Sequence, residues 1–175
     1  MQIPHLGKLT KDTRFDWYYS GPIPVPAFGN KLCRFVLEGY PEDENKEEFH
    51  TAIANFLSVS DAVLKASASD LFQYYKDCNA HWDPGDEEFL SIRSPDGVWA
   101  HVRLGDEPMV SRRAYGDKGV YISLECGCDW EEEHGLQIVF KNGSKVNKVG
   151  PYDGHLTHSD AYADDSLEDV IYPKA

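Results

Sequence analysis

Two short segments, Cys126-Gly127-Cys128-Asp129-Trp130-Glu131-Glu132-Glu133-His134-Gly135-Leu136-Gln137 and Asp153-Gly154-His155-Leu156-Thr157-His158, bring together thiols, a run of carboxylates and three imidazoles. Groups of this kind hold metals, move protons or dock charged partners. A zinc or hard-cation site would draw on Glu131 or Glu133, on His134, and on His155 or His158. The set Glu133, His134 and His155, with Asp153 beside it, defines a metal-binding or metal-dependent hydrolase reading, in which a bound divalent ion activates water. The spacing is not HExxH, and the parts come from separate segments. The competing reading is a hydrogen-bonded corner. Asp153 would accept from nearby backbone N–H groups, and His134 would tie a strand connection to that turn.

The thiols point elsewhere. Cys126 and Cys128 stand one residue apart in an extended row with Val120, Ile122, Leu124 and Trp130. Side chains two apart share one face of a strand, about 7 Å from each other. That spacing and company suit small buried hydrophobes better than a zinc pair, which needs a turn between its ligands. Glu125 and Asp129 fall on the opposite, more polar face. No G-x-S-x-G elbow, P-loop or G-x-G-x-x-G is present. Arg112-Arg113 reads as an exposed strand ion pair.

The elements that must carry these residues follow from periodicity. Phe15, Trp17 and Tyr19 alternate as on a strand, and Pro22, Pro24 and Pro26 then demand an edge strand or extended connection. Beyond Gly29-Asn30, the stretch Lys31 to Gly39 alternates with Cys33, Phe35 and Leu37 on one side. Phe49, Ile53, Phe56 and Leu57 then recur at helical spacing, with Asn45 and Glu48 as a capping pattern. A second helix starts at Ser60 or Asp61 and runs through Leu64, Ala68, Leu71, Phe72 and Tyr75, forming a helical hairpin with the first. Ser94-Pro95 opens a short third helix. Strands return at 109–114 and 119–130, joined around Tyr115-Gly116-Asp117-Lys118. A last hairpin runs from Leu136 to Val149, with Lys141-Asn142-Gly143 as its tip and Ile138 opposite Val146. The expectation is an α+β fold: an antiparallel sheet of N- and C-terminal strands, packed against the helical hairpin and the short third helix. Residues 1–175 are expected to form a single domain, with 158–175 a polar, acidic C-terminal segment.

Composition narrows the function classes. The 175 residues carry a net charge of −13, and 13% are aromatic. Such a field repels nucleic acid and favours a basic protein partner. No apolar run approaches the roughly 20 residues of a membrane span. The start lacks a signal-peptide pattern, and four cysteines make no secreted disulfide framework, so a reducing cytoplasm is expected.

Cys-Asp-Trp-Glu-x-Glu-His-Gly-Leu-Gln (128–137) and Val-Gly-Pro-Tyr-Asp-Gly-His-Leu-Thr (149–157), with Leu6-Gly7-Lys8-Leu9, Phe15-Asp16-Trp17-Tyr18 and Phe35-x-Leu37-Glu38-Gly39, resemble a family of uncharacterised bacterial domains of unknown function. The resemblance covers nearly the whole chain and carries no mechanism with it. By analogy with other small acidic α+β domains, it implies an immunity-type or regulatory role. The expected function is a non-enzymatic protein-binding module without a cofactor. Trp17, Tyr18 and Trp130 would be aromatic anchors, and Glu131, Glu133, His134, Asp153 and His155 the polar contacts.

Overall fold

A computed structural model describes residues 1–173, so the last two positions of the expected 158–175 segment lie outside the described residues. The elements run β1 (Gln2–Ile3), β2 (Gly7–Lys8), β3 (Thr10–Lys11), β4 (Trp17–Val25), β5 (Lys31–Glu38), α1 (Lys46–Ser58), α2 (Asp61–Lys65) and α3 (Ala68–Asn79). They continue with β6 (Val102–Arg103), β7 (Met109–Arg112), β8 (Val120–Cys128), β9 (Glu131–Lys141), β10 (Lys145–Gly150) and α4 (His158–Tyr162). The fold is α+β, as the order of strands, helices and strands predicts. Among the described residues no helix is long and apolar enough to cross a membrane.

The main sheet has the order β10-β9-β8-β7-β5-β4-β3, with β6 paired to β8 past the end of β7. Every pairing is antiparallel except β5 with β7. A parallel pair needs a long crossover, and the helical segment between Glu38 and Met109 supplies it. Pro22 and Pro24 sit where β3 has ended, so their missing N–H groups face an open edge.

The core forms where one sheet face meets the helices. Cys33, Phe35, Leu37, Val110, Ile122, Leu124, Leu136, Ile138 and Phe140 are buried against Phe49, Ile53, Phe56, Leu71, Tyr74 and Tyr75. Phe56 meets Phe140 edge-on at 5.0 Å. Cys126 and Cys128 belong to this core, and burial pushes their thiols up to about 11 and about 12, which suppresses the reactive thiolate.

Four local expectations are corrected. The second helix divides into α2 and α3 at Ala66 and Ser67. The last hairpin turns one residue later than predicted: Lys141 pairs with Lys145 and Phe140 with Val146, while Ile138 faces Val149 across a bulge. Asn142 and Gly143 both take positive φ, and the Asn142 N–H bonds to the Val120 carbonyl, which holds Lys141 in its strand. A Cβ at Gly143 would lie 1.9 Å from the Ala52 carbonyl oxygen, so the tip docks on α1 at a distance only glycine permits. Arg113 is not an exposed strand cation; its side chain is 3% exposed. The C-terminal segment, expected to be a polar stretch, folds over the second sheet face through α4 and a 3-10 turn at Asp165–Leu167.

His158 is a foot of that covering segment. It is 3% exposed, and its Nε2 lies 3.1 Å from the carbonyl oxygens of both Val149 and Ile171. Burial, followed by the charge of Lys148, holds its pKa below the ordinary histidine value of about 6.5. Below pH 6.5 the unfolded chain therefore takes up a proton that the folded chain refuses. Stability should fall with pH from that point, by at most about 1.4 kcal/mol per unit. Urea melts of wild type and His158→Gln between about pH 7 and about pH 5 would show it. Parallel pH profiles in the two proteins would exclude His158 as the source.

Candidate functional site

The second sheet face is polar as well as partly covered. Period-two alternation places Met109 and Ser111 of β7, Ser123 and Glu125 of β8, and Gln137 of β9 on it, opposite the core row. Residues 152–169 cover part of this face, while Ile171 and Tyr172 pass along β10 to the core side, and beside that cover runs a groove. Its outer part, about 520 Å³, is lined by Trp17, Asp106, Glu107, Glu125, Glu132, Glu133 and His134, among others. Its inner part, about 230 Å³, reaches Glu38, Ser111, Gln137 and His155. Met109, Ser123 and Tyr152 line both parts, so the two are continuous.

The groove wall is built by local hydrogen bonds. Glu131 accepts from the backbone N–H groups of Glu133, at 2.8 Å, and His134, at 3.1 Å, with the His134 ring at 3.3 Å. Burial pushes the Glu131 carboxyl up, but these donors outweigh it and hold the pKa below its ordinary value. Gly135 follows at φ 62° and turns the chain back towards β8. The opposite wall hangs on Lys148. Its side chain is fully buried, and its ammonium donates to Asp153, to Gln137 Oε1 at 3.1 Å and to the His155 carbonyl at 3.0 Å. Asp153 also accepts from the His155 N–H at 2.8 Å. The hydrogen-bonded corner expected of Asp153 is therefore present, organised around a lysine that sequence reading did not connect to it.

The two motif segments meet: the Tyr152 N–H donates to the His134 carbonyl at 3.3 Å. Their side chains do not converge on one point. His134 lines the outer groove and His155 the inner part. Among the described residues no three His, Cys, Asp or Glu side chains are placed to hold one ion, and the expected metal set Glu133, His134 and His155 is among those not assembled. The physical reason is visible in the pairings: Glu131 caps its own turn, and Asp153 is held by Lys148.

The aromatic candidates divide similarly. Trp17 lies on the groove, where its indole N–H reaches Glu38 at 3.4 Å and its ring stacks on Phe15. Tyr18, its neighbour, turns the other way and packs against the core. Trp130 is 7% exposed and meets Tyr74 and Tyr75 edge-on. It also lines a third cleft, about 790 Å³, together with Trp82, Glu87, Glu88, Glu131, Glu132 and Glu133. Glu132 and Glu133 are shared by this cleft and the outer groove, so the first residues of β9 are an acidic ridge between two aromatic-lined depressions.

Charge along the ridge is unevenly balanced. Asp129 is paired with Arg103 and His101, and Glu107 with Arg34. Among the described residues, Glu38, Glu125, Glu132 and Glu133 have no ion-pair partner. Tyr152 is held as a phenol, chiefly by burial and then by the charges of Glu125 and Glu38, so its ring stands among these carboxylates. Ser111, Ser123, Gln137, Lys148 and Tyr152 were not singled out from sequence. The alternating polar positions 111, 123, 125 and 137 were the available signal.

A family model described as a domain of unknown function (DUF6985) matches residues 5–156. No curated protein and no solved structure matches the chain.

Proposed function

The chain belongs to the DUF6985 family of domains of unknown function, and from that premise we propose that it is a non-enzymatic protein-binding module whose acidic ridge and groove dock a basic partner. The observation that carries this is the unpaired carboxylate ridge of Glu132 and Glu133 between two clefts walled by Trp17 and Tyr152 on one side and Trp82 and Trp130 on the other. Unpaired surface carboxylates attract a cationic surface over a Debye length of about 8 Å, and half-buried aromatic rings then supply contact area at low entropic cost. The net charge of −13 reinforces steering. The finer reading is an immunity-type or regulatory protein of the bacterial cytoplasm; the acidic balance and the motif resemblance support it.

The test is comparative capture from one cell extract by wild type and by Glu132→Lys/Glu133→Lys, at low and raised salt. Wild type should retain a basic protein at low salt. Charge reversal should weaken that binding about tenfold, mainly through the association rate, and raised salt should weaken it for both baits. Recovery of the same proteins by both baits, indifferent to salt, would overturn the reading.

A further inference from the structure

The inner end of the groove holds a polar group that bonds no other protein group among the described residues. Ser111 is 8% exposed, and among the described residues its hydroxyl has no hydrogen-bond partner. It is not one of the fully occluded orphan atoms, so its hydroxyl retains access to the 230 Å³ cavity it lines. Beside it, Ser123 Oγ accepts from Gln137 Nε2 at 2.8 Å and keeps a free lone pair. Water meets an accessible hydroxyl of this kind in solution, and a ligand N–H that takes the water's place keeps the bond inside the cavity.

The charges around the cavity choose the occupant. Arg112 and Arg113 line it, but both guanidinium groups are saturated. Arg112 bonds Asp43, Glu48 and the carbonyls of Lys118 and Asn45. Arg113 bonds Asp160, Glu168 and Ser159. An anion would find no free cationic donor there. A cation would find the Glu38 carboxylate, hydrogen-bonded among the described residues only by the Trp17 indole, together with the Ser111 and Ser123 oxygens and the rings of Tyr115 and Tyr152. The space far exceeds the roughly 30 Å³ of one water and falls below the roughly 300 Å³ at which drug-sized pockets begin.

We propose that the inner cavity is an anchor subsite that takes the cationic tip of a lysine or arginine side chain from the partner, with Glu38 balancing its charge and Ser111 accepting one of its N–H groups. This rests on the reading of the groove as a docking site for a basic protein, and it names the chemical group that would be read most deeply.

The probes are the N-acetyl methylamides of lysine, arginine and norleucine, titrated into wild type, Glu38→Gln and Ser111→Leu with amide-resolved NMR. The cationic probes should saturate in the millimolar range expected for so few atoms, shifting the amides of Ser111, Ser123 and Tyr152. Glu38→Gln should weaken them about tenfold, Ser111→Leu should fill the cavity and abolish saturation, and norleucine should not saturate in any of the three proteins. Glu38 is exposed, so its variant decides the matter even where Ser111→Leu fails to fold. No saturation by either cation, equal binding of norleucine, or indifference to Glu38→Gln would overturn the subsite. Should the ridge variants still lose a captured basic protein while the probes fail, only the anchor falls; loss of both results removes the docking reading as well.

Discussion

Arg113→Met is expected to lower the free energy of unfolding by about 3–5 kcal/mol, the usual cost of removing one partner from a buried ion cluster. The guanidinium bonds Asp160 through Nε at 2.7 Å and Nη2 at 2.8 Å, and Glu168 through Nη1 at 2.7 Å and Nη2 at 2.9 Å. Ser159 Oγ takes a further bond at 2.9 Å. Without the arginine, the Asp160 side chain, only 12% exposed, has no ion-pair partner left among the described residues and keeps just the longer-range field of Lys148, whereas Glu168 can still turn to Lys141. The loss should therefore concentrate in residues 157–172. Denaturant melts would give the magnitude, and hydrogen exchange would show faster opening of this segment than of β8 and β9. Arg113→Lys should recover only a minor part, because an ammonium cannot hold two carboxylates in bidentate geometry. Arg113, and then Ser159, hold the Glu168 carboxyl below its ordinary value of 4.5. That stabilisation is present above pH 4.5 and disappears as pH falls through the lower folded-state value, and Arg113→Met should erase this part of the acid profile. A loss under about 1 kcal/mol would show that the clasp is dispensable.

Local patterning explains what could be read from sequence and what could not. Cys33, Phe35 and Leu37 lie on the core side of β5, and the row from Val120 to Trp130 is buried, because period-two alternation depends on neighbours along one strand. Asn45 stands at the N-cap of α1 as expected, but its side chain makes no capping bond to the backbone and donates to the Glu48 carboxylate at 2.8 Å instead. The partners of Arg113 lie 47 and 55 residues further along the chain, and no local pattern encodes a contact at that separation. The same limit hid the burial of Lys148, which local alternation places on the polar face of β10. What turned that face inward was the fold-back of residues 152–169, set by tertiary contacts such as the Val149 N–H bond to the Ile171 carbonyl. The acidic run was legible in composition but not in place: the connection is Asp129-Trp130, and Glu131 to Glu133 open β9. Its division into one capping carboxylate and two unpaired ones was not legible either, because that depends on which oxygen meets which backbone N–H.

Lys148→Met is the companion result, with an expected loss of about 2–3 kcal/mol. Methionine keeps the length of the side chain and removes the desolvation cost of a fully buried ammonium, and this gain opposes the loss. Three acceptors lose their donor: Asp153, Gln137 Oε1 and the His155 carbonyl. Asp153 is 32% exposed and retains the His155 N–H, so water can restore much of its solvation. Gln137 is 1% exposed and cannot be rescued in that way, so the balance remains unfavourable and smaller than at Arg113. The pH dependence carries its own sign. Burial lowers the Lys148 pKa below the ordinary lysine value of 10.5, against the pull of Asp153. Between the folded value and 10.5 the unfolded chain binds the extra proton, so the wild-type contribution from Lys148 grows with pH across that window, and it should vanish in Lys148→Met. The substitution also frees the turn bearing Tyr152 and His155, which forms one wall of the groove. Binding of the cationic probes should weaken in Lys148→Met even where the protein remains folded, while Asp153→Asn in the same background should return part of the stability by removing the stranded charge. Unchanged probe binding in a destabilised Lys148→Met would separate the lysine from the groove and leave it a purely structural role.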